Sequence, residues 1–215
     1  MLGNIYNIMN SIDIIKPTAC DLAEKAFPGY KGLCEGNFMY VSRESYPLPW
    51  MIRELAQNSV DHNILDPETL NGLEFIEEDI GECKRRFEIK NPWVFEKYAK
   101  LTTFGSDKTD PSKSFAGGNG IGLKQALLRL MRDFEVQKFN VLGEGWEVEY
   151  KYVSKDEINA RLETDDYQSE DDVFLTKVSP SANHGHCSYV IETDNPEVIN
   201  NLREFKHLGV SDENR

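Results

Sequence analysis

"FAGGNGIGLKQALLRLM", residues 115–131, places four glycines within six positions (Gly117, Gly118, Gly120 and Gly122) directly before an apolar, helix-forming run. Glycine loses more conformational freedom on folding than any other residue, so a cluster of it marks a place where the main chain must stay bare. A bare backbone that opens a helix suits a phosphate, because exposed N–H groups and the positive end of the helix dipole both face the anion. The stretch predicts a phosphate-cradling turn followed by a core helix. Nucleotide chemistry would further require a base site, a metal site and a group that activates water.

A second stretch, "RELAQNSVDH" (53–62), carries polar residues of the right kind. Pro49 stands near a helix start, and Met51, Ile52, Leu55 and Val60 give one buried flank. Glu54, Asn58 and Asp61 fall at i, i+4 and i+7, which puts all three on one face. On an arbitrary surface helix that face would be a solvated stripe. Beside a glycine turn it can line a cleft.

The rest of the chain supplies the frame. A helix is predicted over 18–27. A hairpin follows in "GLEFIEEDI", "GEC" and "KRRFEIKNP", with Phe75, Phe87 and Ile89 inward. "WVFEKYAKL" reads as a short helix, and "TTFGSDKTDPSKSFAGG" as a loop long enough to be a functional lid. A second strand pair ("FEVQKFNVL", "GWEVEYKYV"), a last strand ("CSYVIET") and a closing helix from Pro196 complete the order. Residues 155–172, rich in Asp and Glu, read as a solvated acidic insertion. Helices and mostly antiparallel hairpins in mixed order predict an α+β two-layer sandwich.

Composition bounds the function. A 215-residue chain with 40% hydrophobic residues fills one generous domain, and a net charge of −13 argues against nucleic-acid phosphates and anionic lipid as direct partners. No apolar run reaches the roughly 18 residues that span a bilayer, and the N-terminus lacks a signal-peptide pattern. The four cysteines (Cys20, Cys34, Cys83 and Cys187) are scattered without CxxC pairing, so reduced thiols and a cytoplasmic location are expected. His184 and His186 form the one close histidine pair and read as a turn or strand edge.

Four motifs in order resemble the GHKL ATPases, the superfamily of DNA gyrase, heat-shock chaperones, histidine kinases and MutL. "EL-x-x-N-x-x-D" resembles their N-box. "FEIKNPW" stands at the place of the adenine motif. "LTTFGSDKT" resembles the start of the ATP lid, and "GGNGIGLK" the phosphate motif that closes it. The resemblance spans roughly residues 45–150 and implies a Bergerat-type fold: a mixed, mostly antiparallel sheet with helices on one face. It implies one ATP-binding domain over 1–210, with an N-terminal helical extension (1–44), a lid (102–122) and a disordered tail (211–215).

The resemblance also implies ATP and Mg²⁺ as ligands. Asn58 would offer its amide oxygen to the metal, a hard ion that takes oxygen ligands. Glu54 would orient and deprotonate the attacking water. Gly117, Gly118, Asn119, Gly120, Ile121, Gly122 and Leu123 would form the phosphate turn. Lys124 would either contact phosphate or point outward.

One motif departs from the family. Its adenine motif is Asp-x-Gly-x-Gly, whereas strand periodicity here puts Asn91 on the inward side after Phe87 and Ile89, with Trp93 and Phe95 at the glycine positions. Asn91 keeps an acceptor oxygen but not the charge. The two rings either fill the base pocket or stack on the base. The sequence thus yields two expectations: a Mg²⁺-dependent ATP-binding protein, hydrolysing ATP weakly or with stimulation by a partner or second copy, or a GHKL-fold binding or inhibitory module without catalysis.

Overall fold

The computed structural model describes residues 16–33, 47–55, 74–91, 98–102, 122–162 and 167–210. In chain order these form α1 (Ala19–Ala26), β1 (Lys31–Gly32), α2 (48–55), β2 (Glu74–Gly81) and β3 (Lys84–Asn91). There follow α3 (Ala99–Thr102), α4 (Gly122–Asp133), β4 (Lys138–Gly143), β5 (Trp146–Val153) and α5 (Lys155–Leu162). The last are β6 (Val173–Pro180), β7 (Cys187–Thr193) and α6 (Pro196–Val210). The chain is α+β, and its described strands form one open sheet of seven in the order β1-β6-β5-β4-β7-β3-β2. Every pairing among the described strands is antiparallel, where a mixed sheet was expected.

Strand alternation assigns the two faces of this sheet. Phe87 and Ile89 of β3, Tyr189 and Ile191 of β7, Phe139 and Val141 of β4, and Val148 and Tyr150 of β5 share one face, matched pairwise across the strands. All are buried and form one core with Met51, Ile52 and Leu55 of α2, Leu127 and Leu130 of α4, and Val198 and Leu202 of α6. The opposite face has its own smaller core. There Val153, Val173 and Leu175 meet Cys20, Leu22, Ala23 and Phe27 of α1 and Ile158 and Leu162 of α5. Helices therefore flank the sheet on both faces at its β5-β6-β1 end, which corrects the expected arrangement with all helices on one face.

The acidic insertion is corrected too. Asp156 and Glu157 occupy the first turn of α5 and Arg161 its last, each complementing the helix dipole. Ile158 and Leu162, four residues apart, put one stripe of that helix into the smaller core. Ser154 caps it, accepting from the Glu157 N–H at 3.2 Å. The run 155–162 is thus an amphipathic helix and not a solvated loop.

Cys20 is disulfide-bonded, which corrects the expectation of four reduced thiols; Cys83 and Cys187 are free. The cysteines consequently give no argument for a reducing compartment. No helix among the described residues is long and apolar enough to cross a membrane.

Gly143 shows a true demand for a missing side chain. The indole of Trp146, its cross-strand partner at the β4–β5 turn, lies so close that a Cβ on Gly143 would stand 2.1 Å from the ring.

Candidate functional site

Helix α2 starts where Pro47 offers its carbonyl to the N–H groups of Trp50 (2.9 Å) and Met51 (3.3 Å). Leu48, Met51, Ile52 and Leu55 follow helical spacing and are all buried. Glu54 stands at the border of that buried stripe and is itself half-buried. A carboxylate there is neither fully solvated nor sealed in the core. Asn58 and Asp61, which would extend the polar face, lie outside the described residues.

Strand β3 runs between β2 and β7, and its alternation continues to its last residue. Phe87 and Ile89 are fully buried and Asn91 is 2% exposed, on the same inward side. Lys90 points to the other face, where its ammonium meets Glu74 at 3.4 Å. Asn91 pairs across the ladder with buried Cys187. Its Oδ1 is buried and accepts no hydrogen bond. A buried amide acceptor without a donor costs about 1–3 kcal/mol, so an orphan of this kind calls for an explanation. Burial holds the Cys187 thiol opposite in its protonated form by pushing its pKa far up. Trp93 and Phe95 lie outside the described residues.

Helix α4 begins at Gly122. Leu123 packs at the margin of the main core, and Lys124 is one of the largest fully buried side chains of the chain. An outward-pointing Lys124 is therefore excluded. An ammonium at the positive end of a helix, out of water, needs polar company to stay charged. Gly117, Gly118, Asn119, Gly120 and Ile121 lie outside the described residues, as does the lid.

Toward its other end α4 is held by charge. Asp133 accepts from Arg129 Nε at 2.9 Å and from Arg132 Nε at 2.7 Å, with both Asp133 and Arg129 nearly solvent-free. Burial alone would raise the Asp133 pKa, but the two guanidiniums outweigh it and hold the carboxyl below its ordinary value.

Buried apolar residues of α2, β3 and α4 belong to one core. Two clefts lie elsewhere. One, of about 450 Å³, opens beside the C-terminal end of α4, with Tyr30, Arg132, Lys138, Glu149, Lys151 and Tyr152 among its walls. Tyr30 donates to Glu149 at 2.7 Å, and burial together with that carboxylate pushes its pKa up to about 12. The other, of about 790 Å³, lies between the starts of α1 and α5. Neither is lined by a residue singled out from sequence. Their walls come from four and three separate segments respectively, so no local motif announces them.

The histidine pair forms a turn clasp, as expected. His184 Nδ1 and the Gly185 N–H meet the two oxygens of Glu144 at 2.7 and 2.8 Å, and the Gly185 N–H is the larger cause of that carboxyl's lowered pKa. Among the described residues no group of three His, Cys, Asp or Glu is placed to hold a metal ion. No protein-family model matches the chain, and no curated protein matches it.

Proposed function

We propose that the chain is a Mg²⁺-dependent ATP-binding domain of the GHKL type with a Bergerat-like arrangement, hydrolysing ATP weakly or when a protein partner or second copy completes the site. The observation that carries this reading is Asn91: a neutral acceptor, buried at 2% exposure and without a donor, at the end of the strand where a base-reading group is expected. An exocyclic amine of a purine is the donor that such an oxygen lacks.

Within this reading ATP brings the reactive phosphoanhydride and Mg²⁺ the charge that neutralises it. Asn91 accepts from the base and fixes its orientation. Asn58 would hold the metal through its amide oxygen, and the turn from Gly117 to Gly122 with Leu123 would offer main-chain N–H groups to the phosphates. Lys124, buried in the first turn of α4, adds positive charge at the same end. Glu54 takes the proton of the attacking water, and its half-buried position keeps it within reach of solvent. Closure of the lid over the nucleotide would present a new surface to the partner. The cytoplasmic location belongs to this proposal and rests on the supply of ATP.

One observation favours the second reading, a binding or inhibitory module on the same fold. Position 91, where the family's adenine motif carries a carboxylate, holds a neutral amide, so a charge-assisted bond to a base amine is lost. Titration calorimetry with Mg²⁺ and a non-hydrolysable ATP analogue separates the two. Saturable binding supports the ATP-binding domain; no heat at millimolar nucleotide leaves only the module.

A further inference from the structure

The turn between β6 and β7 carries two histidines that the ATP site does not use, and it is braced from the neighbouring β4–β5 turn. Gly185, between the two, sits at φ +76°, a conformation that favours glycine and lets the chain reverse there. The Asn183 side-chain amide donates to the Gly143 carbonyl at 3.0 Å and to the His186 carbonyl at 2.8 Å, and the Gly145 N–H donates to the Asn183 carbonyl at 2.8 Å. These bonds join the two turns into one unit. The imidazoles are fixed as well. His184 Nδ1 lies 2.7 Å from Glu144 Oε1, and His186 Nδ1 lies 3.0 Å from the His184 carbonyl oxygen. A carboxylate and a carbonyl only accept, so each Nδ1 carries the proton and the lone pair of each neutral ring is on Nε2. Neither Nε2 has a hydrogen-bond partner among the described residues. The His184 side chain is 67% exposed, so an ion in solution can reach it.

We propose that His184 and His186 chelate one divalent transition-metal ion of the Zn²⁺ class through their Nε2 atoms, with Glu144 as the positioning residue for His184. Metal-ligating histidines characteristically donate their other ring N–H to a carboxylate or a main-chain carbonyl, which fixes the ring and raises its basicity. Both partners of that kind are present here, one on each ring. Glu144 does more than pair with His184, because its second oxygen accepts from the Gly185 N–H at 2.8 Å and holds the turn in place. As a stabilising ion pair so exposed a contact is worth little. Two imidazoles suit Zn²⁺, Cu²⁺ or Ni²⁺, whereas Mg²⁺ demands oxygen ligands, so this site is chemically distinct from that of the nucleotide. Cys187, next in the chain, is 1% exposed and supplies no thiolate. Two protein ligands are fewer than the four of a structural zinc centre, in keeping with the absence, among the described residues, of any group of three His, Cys, Asp or Glu placed for a metal. Water fills the remaining positions, and the ion exchanges readily.

The test is calorimetric titration of the full chain with ZnCl₂ in a non-coordinating buffer without nucleotide. It should show a saturable site that excess Mg²⁺ does not displace. His184→Ala and His186→Ala should each abolish that site; parental affinity in either variant overturns the proposal, since the rings then share no ion. Glu144→Gln should weaken Zn²⁺ binding about ten- to a hundredfold, the usual cost of losing the group that orients a ligating histidine. Unchanged affinity in that variant removes Glu144 from the site. Long-range ¹H–¹⁵N NMR supplies a readout that a purely structural turn would not move. Well above the ordinary histidine pKa of about 6.5, both Nε2 atoms should appear unprotonated, and Zn²⁺ should shift the two together. A proton on either Nε2 in the metal-free protein, or a shift of one ring alone, rules out the chelate.

Discussion

Replacing Asn91 with leucine separates the two demands that this position carries. In the folded chain the Asn91 side chain is 2% exposed and its Oδ1 finds no donor, between Ile89 on its own strand and Cys187 across the ladder. An unsatisfied buried acceptor costs about 1–3 kcal/mol, and leucine, of similar length, removes it and adds apolar surface. Some of that gain is lost to imperfect fit, since extra branching in a packed core costs energy too. A net stabilisation of about 1 kcal/mol is expected, which raises Tm by roughly 2–4 °C in a chain of this size. Nucleotide binding should move the other way. A purine amine buried against leucine loses its acceptor, so affinity for ATP should fall about ten- to a hundredfold. Urea unfolding of the apo protein and calorimetry with the ATP analogue measure the two effects. If Asn91→Leu loses stability and binds ATP like the parent, the oxygen was satisfied in the native protein and the base assignment is wrong. Asn91→Asp should reverse both signs, weakening the empty fold by burying a charge and strengthening its grip on the amine.

Three further outcomes are expected. Glu54→Ala should bind the analogue with parental affinity and release no phosphate from ATP; parental turnover would exclude Glu54 as the base. Gly143→Ala should lower stability by about 1–3 kcal/mol, since a Cβ 2.1 Å from the Trp146 indole forces the ring to move, and an unchanged urea midpoint would contradict that packing. Asp133 has a folded pKa below its ordinary 3.8, so its contribution to stability is complete above that value and is lost as pH falls through the folded pKa. The gap in Tm between the parent and Asp133→Asn should therefore be widest near neutrality and close on acidification; a gap independent of pH would sink the ion-pair account.

Much of the frame was legible because its residues alternate or recur with one clear period. β3 is the best case: Phe87, Ile89 and Asn91 inward and Lys90 outward follow from period two alone, and the structure shows that burial. α2 announced its apolar stripe in the same way. β6 did not announce itself. Val173, Phe174, Leu175 and Thr176 are buried in succession, because the main core covers one face of the sheet there and α1 and α5 the other, so the alternation that signals a strand is erased. β1 is two residues long and has no pattern to read. α5 was hidden by its acidic first turn, which resembles a solvated run when Ile158 and Leu162 are taken singly. Of the candidate site, residue types and their order were legible. The burial of Lys124 was not, since its neighbours in sequence fit a solvated first turn as well as a covered one.

Helix α4 is closed in on nearly every side: Lys124, Ala126, Leu127, Leu128, Arg129 and Leu130 are all 4% exposed or less. A cylinder so encased has no room to roll or to bend without disturbing two layers of neighbours. Its twelve residues extend about 18 Å at the helical rise. The buried Lys124 end and the Arg132 end, which walls the tyrosine-lined cleft, therefore belong to one stiff element.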